Sequence, residues 1–244
     1  MNENALKELA QKLHLANGAV AVLTGAGMSM ESGLPDFRSK DGWWRGIDPM
    51  TVATADALER NYELFREFYR FRIETAERYA PHEGHRILAD WERGGTIRGI
   101  ATQNVDGFHA MAGSRSIAEL HGSIRTARCQ RCGQEATTAS FVGGQSCAGC
   151  QGKLRPNVVL FGEPLPERAW NQALAWIREA ELVLVIGTSL QVAPANQLPR
   201  LTSGCKAYIG LEPADGSYGF DISIQGKAGE TLAALDALAR ELAP

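Results

Sequence analysis

Apolar and polar positions along this chain fall into two alternating rhythms. Short apolar runs recur at AVAVLT (19–24), TIRGIAT (96–102), ELVLVIGT (181–188), KAYIGL (206–211) and DISIQ (221–225), several of them closing on Gly or Thr. Around them lie stretches with apolar residues three or four apart. These are an N-terminal stretch with Leu6, Leu9 and Leu13 on one face, EGHRILADWERG, PERAWNQALAWIREA, and ETLAALDALARELA with Leu232, Leu235, Leu238 and Leu242. The short runs suit buried strands and the spaced stretches suit amphipathic helices. The alternation predicts an α/β fold in which a parallel sheet carries helices on both faces.

Two segments break the rhythm. Residues 40–80 contain ALERNYELFREFYRFRIETAERY, which reads as one long helix with Tyr62, Phe65, Tyr69 and Ile73 along a stripe. Residues 126–154 hold cysteines among Gly, Ser, Thr and Gln. Each reads as an insertion into the sheet, leaving 1–39, 81–125 and 155–244 as the main domain. No internal repeat or low-complexity tract interrupts this division.

Composition adds little to the picture beyond exclusions. A chain of 244 residues can bury a self-sufficient core without staples. A net charge of -3 with 44% hydrophobic residues fits a globular protein, not a bulk polyanion binder or a disordered tail. The N-terminus lacks the charged, apolar and cleavable order of a signal peptide, and no apolar run reaches the roughly 18 residues of a membrane span. A cytoplasmic protein with no membrane partner is the expectation.

The cysteines change the picture more. CQRCGQEATTASFVGGQSCAGC places Cys129, Cys132, Cys147 and Cys150 as C-x2-C-x14-C-x2-C. Two such knuckles supply the four thiolates of a structural zinc site, with no open position for water. Metal would organise a segment too poor in apolar residues to fold alone. Two disulfides or four free thiols are the weaker alternative, and Cys205, at the start of a strand, reads as a small buried hydrophobe. The ribbon's Arg125, Arg128, Arg131, Lys153 and Arg155 lack the interleaved aromatics of a nucleic-acid surface, so that role is disfavoured.

Three strands end in loops rich in small and polar residues, where open α/β sheets hold ligands. In TGAGMSMESGLPDFR, Gly25 and Gly27 suit a tight strand-to-helix turn that admits phosphate, yet the third glycine of a dinucleotide loop is replaced by Met30. The same loop carries Asp36 and Arg38 close together after a Gly-Leu-Pro turn. TQNVDGFHAMAG offers Gln103, Asn104 and Asp106 to ribose hydroxyls, and GTSLQVAPAN offers Thr188 and Ser189. Singly each reads as a turn and cap; together they favour a nucleotide. Of five histidines, His121 in ELHGS lies between the second loop and the metal segment, where an imidazole can act as a general base at neutral pH.

GAGMSMESGLPDFR, TQNVDGFH, ELHGS, the paired knuckles, VVLFGEPLP and GTSLQVAPA, in this order over nearly the whole chain, resemble the sirtuins, NAD-dependent protein-lysine deacylases. The resemblance implies a Rossmann-type large domain, and a small domain made of a zinc ribbon and a helical module with an acyl-peptide cleft between the two. It implies NAD as a consumed co-substrate: the acyl oxygen attacks the ribose, nicotinamide leaves, and an alkylimidate resolves to lysine and O-acyl-ADP-ribose. It assigns the base to His121 and a catalytic place to Asn104. NAD contacts would come from Gly25, Ala26, Gly27, Ser29, Asp36, Phe37, Arg38, Gln103, Asn104, Val105, Asp106 and His121. On the adenosine side they would come from Gly187, Thr188, Ser189, Leu211, Glu212 and Ala228. Val159, Phe161 and Gly162 match the strand that pairs with substrate backbone. One departure is Gly210, where the family often has Asn.

Tyr69 and Arg72 form Y-x-x-R, one helical turn apart, similar to the sirtuin subgroup that removes succinyl and malonyl groups. Deacetylation is the reference activity and acidic acyl groups are the alternative. Competing classes are a protein ADP-ribosyltransferase, which shares the chemistry, and a zinc-containing NAD oxidoreductase, which a closed four-cysteine site does not serve. Oligomeric state is not legible in the sequence.

Overall fold

The computed structural model describes residues 2–35 and 46–242. Its strands are β1 (Val20–Thr24), β2 (Gly99–Thr102), β3 (Ile117–Glu119), β4 (Gly122–Cys129), β5 (Glu135–Ala136), β6 (Leu154–Val158), β7 (Leu182–Ile186), β8 (Cys205–Gly210) and β9 (Ile222–Gln225). Its helices are α1 (Glu3–Leu15), α2 (Gly27–Met30), α3 (Pro49–Val52), α4 (Ala55–Arg60), α5 (Tyr62–Glu77), α6 (Glu83–Arg93), α7 (Phe108–Met111), α8 (Thr138–Val142), α9 (Glu167–Arg178) and α10 (Ala228–Leu242). All five expected strands and the N-terminal, 83–94, 166–180 and C-terminal helices are present.

Six strands form one parallel sheet in the order β3-β2-β1-β7-β8-β9. The chain steps outward from β1 to β3, then returns beside β1 and steps outward the other way. That reversal leaves a crevice at the carboxyl ends of β1 and β7, where such sheets hold ligands. β1 and β7 are buried at every position, which explains their unbroken apolar runs. Leu9, Leu13, Leu88, Trp91, Leu232 and Leu235 bring α1, α6 and α10 onto one face. Ala173 and Ile177 bring α9 onto the other.

The two inserted segments share a second core. Phe65, Phe68 and Ile73 of α5 pack with Phe141 of α8 and with Leu154 and Val158 of β6. The antiparallel sheet β5-β4-β6 spans Gly122 to Val158, wider than the 126–154 expected from the cysteines. Tyr62 Oη donates to Leu154 O at 2.8 Å, and Lys153 Nζ to Glu59 O at 2.8 Å, sewing the segments together.

Two expectations need correction. The single long helix is two, α4 and α5, broken at Asn61, whose φ of -139° and ψ of 55° lie outside the helical region. Leu58 and Phe65, on either side of the break, are both buried in one core. The segment at 159–162 does not continue β6 as a strand. β6 ends at Val158, and beyond it Val159 N–H donates to His121 O at 2.9 Å and Phe161 N–H to Ala53 O at 3.0 Å. Among the described residues no helix is long and apolar enough to cross a membrane.

Candidate active site

The first loop leaves β1 and turns at once into α2. Gly25 N–H donates to Ile186 O at 3.0 Å, and Gly27 N–H to Gly187 O at 2.8 Å. A Cβ on Gly25 would lie 2.5 Å from Thr188 Cβ, and one on Gly27 would lie 2.9 Å from Gly187 Cα. Gly187 has φ 61°, and a Cβ there would run into the Met28 backbone. The glycines therefore seat this turn against the end of β7, in addition to baring the backbone as the sequence suggests.

A buried polar cluster hangs from the second loop. Asn104 Nδ2 donates to Gly25 O at 2.9 Å and to Ser29 Oγ at 3.2 Å, and Ser29 Oγ donates to Asp106 Oδ2 at 2.8 Å. Asp106 Oδ1 accepts Phe108 N–H at 2.8 Å. Burial raises the Asp106 carboxyl above its ordinary range, opposed by the Phe108 N–H, Ser29, Arg125 and Arg72. Gln103 Nε2 donates to Thr188 Oγ1 at 2.9 Å, which ties the second loop to the third. Its Oε1 is buried with no partner among the described residues, an acceptor left for a ligand donor.

Beneath this cluster Thr24 and Thr102, in register on neighbouring strands, share a 2.8 Å hydrogen bond. His109 Nε2 lies 3.0 Å from Thr24 Oγ1. Burial holds His109 neutral, pushed down to about 3, and His85 to about 2 with His109 and His82 beside it. These histidines are supports of the loops and not candidates for proton transfer at neutral pH.

His121 follows β3. Its Nδ1 lies 3.0 Å from Gln103 O, a carbonyl that can only accept, so Nδ1 carries the hydrogen and Nε2 the lone pair. The half-buried ring borders a cavity of about 590 Å3 that also takes in Ala26, Ser29, Gln103, Asn104, Val105 and Asp106. Val159, Phe161 and Gly162 form another part of its wall, and Tyr69 and Arg72 reach it from α5. Arg72 lies 5.6 Å from the Phe68 ring centroid and 5.8 Å from that of Tyr69. Burial lowers its guanidinium, while Tyr69 and Asp106 counter that; burial also pushes the Tyr69 phenol up to about 12.

Gly25, Gly27, Gly187, Thr188 and Ser189 lie outside this cavity, at the carboxyl ends of β1 and β7. Leu211 and Glu212 follow β8 and are exposed, and Ala228 opens α10, packed with Met28 in one core. At Gly210 a Cβ would lie 2.7 Å from Tyr208 Cζ, so the phenol fills the room that a side chain there would need. Asp36, Phe37 and Arg38 lie outside the described residues.

The four cysteine sulfurs lie within 4.8 Å of one another. Cys129 and Cys150 Sγ are 3.5 Å apart and Cys132 and Cys147 Sγ 3.7 Å apart. Four thiolates around zinc at about 2.3 Å each would stand about 3.8 Å apart, so the donor set fits that ion. The backbone N–H groups of Cys132 and Arg131 pull the Cys129 thiol down, while at Cys150 the Gly152 N–H is outweighed by the neighbouring sulfurs, which push that thiol up, as expected of thiols crowded together.

The Sir2 family model matches residues 25–194 of the chain. The NAD-dependent protein deacetylase 1 of Geobacillus kaustophilus is 51% identical over 234 residues, 94% of this chain and 97% of that protein. This chain belongs to the Sir2 family. A second Sir2 relative, the NAD-dependent protein deacylase 2 of Pyrobaculum aerophilum, is 43% identical over 216 residues, 86% of this chain and 87% of that one. Among solved Sir2 structures, a homolog bound to NAD superposes with a TM-score of 0.88 at 34% identity, covering 99% of this chain and 95% of that one. A Sir2 variant with deacetylated peptide and 3'-O-acetyl ADP-ribose gives a TM-score of 0.88 at 30% identity, covering 94% and 96%.

The Sir2 motifs account for most of the cavity but not all of it. Trp170 of α9, with Pro49, Ala53 and Ala76 of the helical segment, completes its wall. Trp170 was legible only as an apolar position on a helix; nothing in its spacing marks it as facing a ligand.

Proposed function

We propose that this chain is an NAD-dependent protein-lysine deacylase that transfers the acyl group from lysine to ADP-ribose with release of nicotinamide. The observation that carries this reading is the tautomer of His121. Its Nδ1–H is committed to Gln103 O, so Nε2 is the basic atom at a cavity that also holds Asn104 and Asp106. NAD supplies the electrophilic ribose carbon and a leaving group. His121 Nε2 takes the proton from a ribose hydroxyl, which raises that oxygen's nucleophilicity. Asn104, anchored through Nδ2 on Gly25 O and Ser29, keeps Oδ1 as an acceptor for a ribose hydroxyl or a water. Ser29 and Asp106 hold Asn104 in place, and the apolar wall from Ile124, Val158 and Leu160 keeps bulk water from the reacting groups. Val159 to Gly162 present backbone to an extended acyl-lysine peptide. Cys129, Cys132, Cys147 and Cys150 hold zinc as a structural ion, and no step passes through it.

The test is nicotinamide release by purified protein from NAD, with and without an acetyl-lysine peptide, and mass analysis of the products. Release that requires the peptide, with O-acetyl-ADP-ribose as product, supports the reading. ADP-ribosylated protein with the peptide unchanged would make it a transferase instead.

Acyl groups bearing a carboxylate are a second class of substrate, favoured by Tyr69 and Arg72 together at the cavity's wall, a phenol and a guanidinium one turn apart. On this reading Arg72→Met lowers kcat/KM for a succinylated peptide by about 10-fold or more relative to the acetylated one, the worth of a charge-assisted hydrogen bond. An unchanged ratio of the two efficiencies removes Arg72 from acyl recognition.

A further inference from the structure

Between the cysteine knuckles and the cavity lies an ion pair that the chemistry above does not use. Arg155 of β6 is fully buried, and its Nη1 and Nη2 donate to Glu163 Oε1 and Oε2 at 2.6 and 2.9 Å. Nη1 also donates to Gln130 Oε1 at 3.2 Å, and Nη2 to Val158 O at 2.7 Å. Glu163 Oε2 accepts Leu160 N–H at 2.8 Å. One guanidinium thus joins a residue between two knuckle cysteines, the last residue of β6, and both ends of the turn 160–163. Burial pushes the Glu163 carboxyl up, but Arg155, the Leu160 N–H and Arg128 outweigh it and hold the group below the ordinary glutamate range.

Backbone bonds close and tether that turn, Glu163 N–H to Leu160 O at 2.9 Å and Phe161 N–H to Ala53 O at 3.0 Å, and the ion pair adds a side-chain hold to them. The turn lies past the end of β6, and Gly162, at φ 91°, has nothing within 4 Å of where a Cβ would stand. A buried ion pair adds little net stability over an apolar pair of the same volume, because desolvation offsets the attraction. What a bidentate guanidinium–carboxylate pair supplies is fixed orientation.

We propose that Arg155 and Glu163 are positioning residues for the acyl-peptide: their pair sets turn 160–163 so that the Val159–Gly162 backbone faces an extended substrate. The inference rests on the deacylase reading and assigns these residues no contact with the reacting atoms. It predicts a split between the two substrates, since the pair touches the peptide wall and none of the loops after β1, β2 and β7.

Steady-state kinetics of the zinc-loaded full chain test it, with KM for acetyl-peptide, KM for NAD and kcat measured well below the thermal midpoint. Glu163→Gln, which keeps the shape and removes the charge, is expected to raise KM for the peptide about tenfold with kcat and KM for NAD within about twofold. The double variant Arg155→Met with Glu163→Leu replaces the pair by apolar groups. It is expected to stay folded with a thermal midpoint lowered by several degrees, since Val158 O and Leu160 N–H lose their partners, while keeping the raised peptide KM. A wild-type peptide KM in either variant, or a rise in KM for NAD in step with that for the peptide, overturns the positioning role. Wild-type protein that releases no nicotinamide with the peptide overturns the deacylase reading, and the inference with it; active wild type with unaffected variants overturns the inference alone.

Discussion

At the scale of single residues, function rests on which atom of a side chain is already committed. His121 has Nδ1 fixed on Gln103 O, and Asn104 has Nδ2 fixed on Gly25 O, which sets how each side chain faces the cavity. On the mechanism proposed above, His121→Ala removes the base and no member of a hydrophobic core. Its kcat should fall by about 100- to 10,000-fold, the usual worth of a general base, with the thermal midpoint unchanged. A variant within a few-fold of wild type would sink the base assignment. These residues were legible because their polar types sit where strands end. The partner of Glu163 was not, since pairing it with Arg155 depends on how the chain bends after β6, which no local spacing encodes.

Elements are held at their ends by a few unforgiving contacts. Gly187 closes β7 at φ 61° with its bare face on the Met28 backbone, so neither neighbour can yield to a methyl group. Gly187→Ala should destabilise the fold by about 3 kcal/mol or more, the combined effect of left-handed strain and a backbone clash. Urea unfolding checks this, and a loss under about 1 kcal/mol would show that the turn adapts. The zinc ribbon is the opposite case, an element with few apolar contacts of its own. Cys147→Ser should lower bound zinc from one ion per chain and expose the α5–α8 core to a hydrophobic dye while much of the helical signal of the large sheet domain remains. Full zinc occupancy in that variant would rule out the four-cysteine site. Five strands of the large sheet were readable from apolar runs, but β3 escaped because three residues carry no period, and β4, β5 and β6 because polar residues break up their apolar positions. The break at Asn61 escaped because the stripe on either side of it keeps helical spacing.

For the whole molecule, the alternation of elements carried the parallel sheet with helices on both faces, though not its strand order, and the cysteine spacing marked the metal segment. No spacing gave the joint core of two segments far apart in sequence; only the family resemblance implied that they join. Buried histidines add a response to acid. His109 and His85 are depressed to about 3 and 2, whereas an unfolded chain binds their protons near pH 6.5. Above that pH neither state is protonated and the full stability is present. As pH falls below it, the unfolded chain gains protons that the folded one refuses, and stability declines down to about pH 3. The thermal midpoint should drop steadily from pH 7 to pH 5, and less so in His109→Gln. An equal slope in both proteins would place the acid response elsewhere.

The shared second core has a consequence for the order in which the chain leaves the ribosome. Phe65 and Phe68 of α5 emerge long before Phe141 and Leu154, the side chains they pack against. At about 5–20 residues per second, α5 waits several seconds with its aromatic stripe uncovered. The metal can act only once the last cysteine has emerged. Translation therefore sets the shortest time a sticky helix stays open to chaperones, proteases and other nascent chains, and a shortage of zinc would lengthen it.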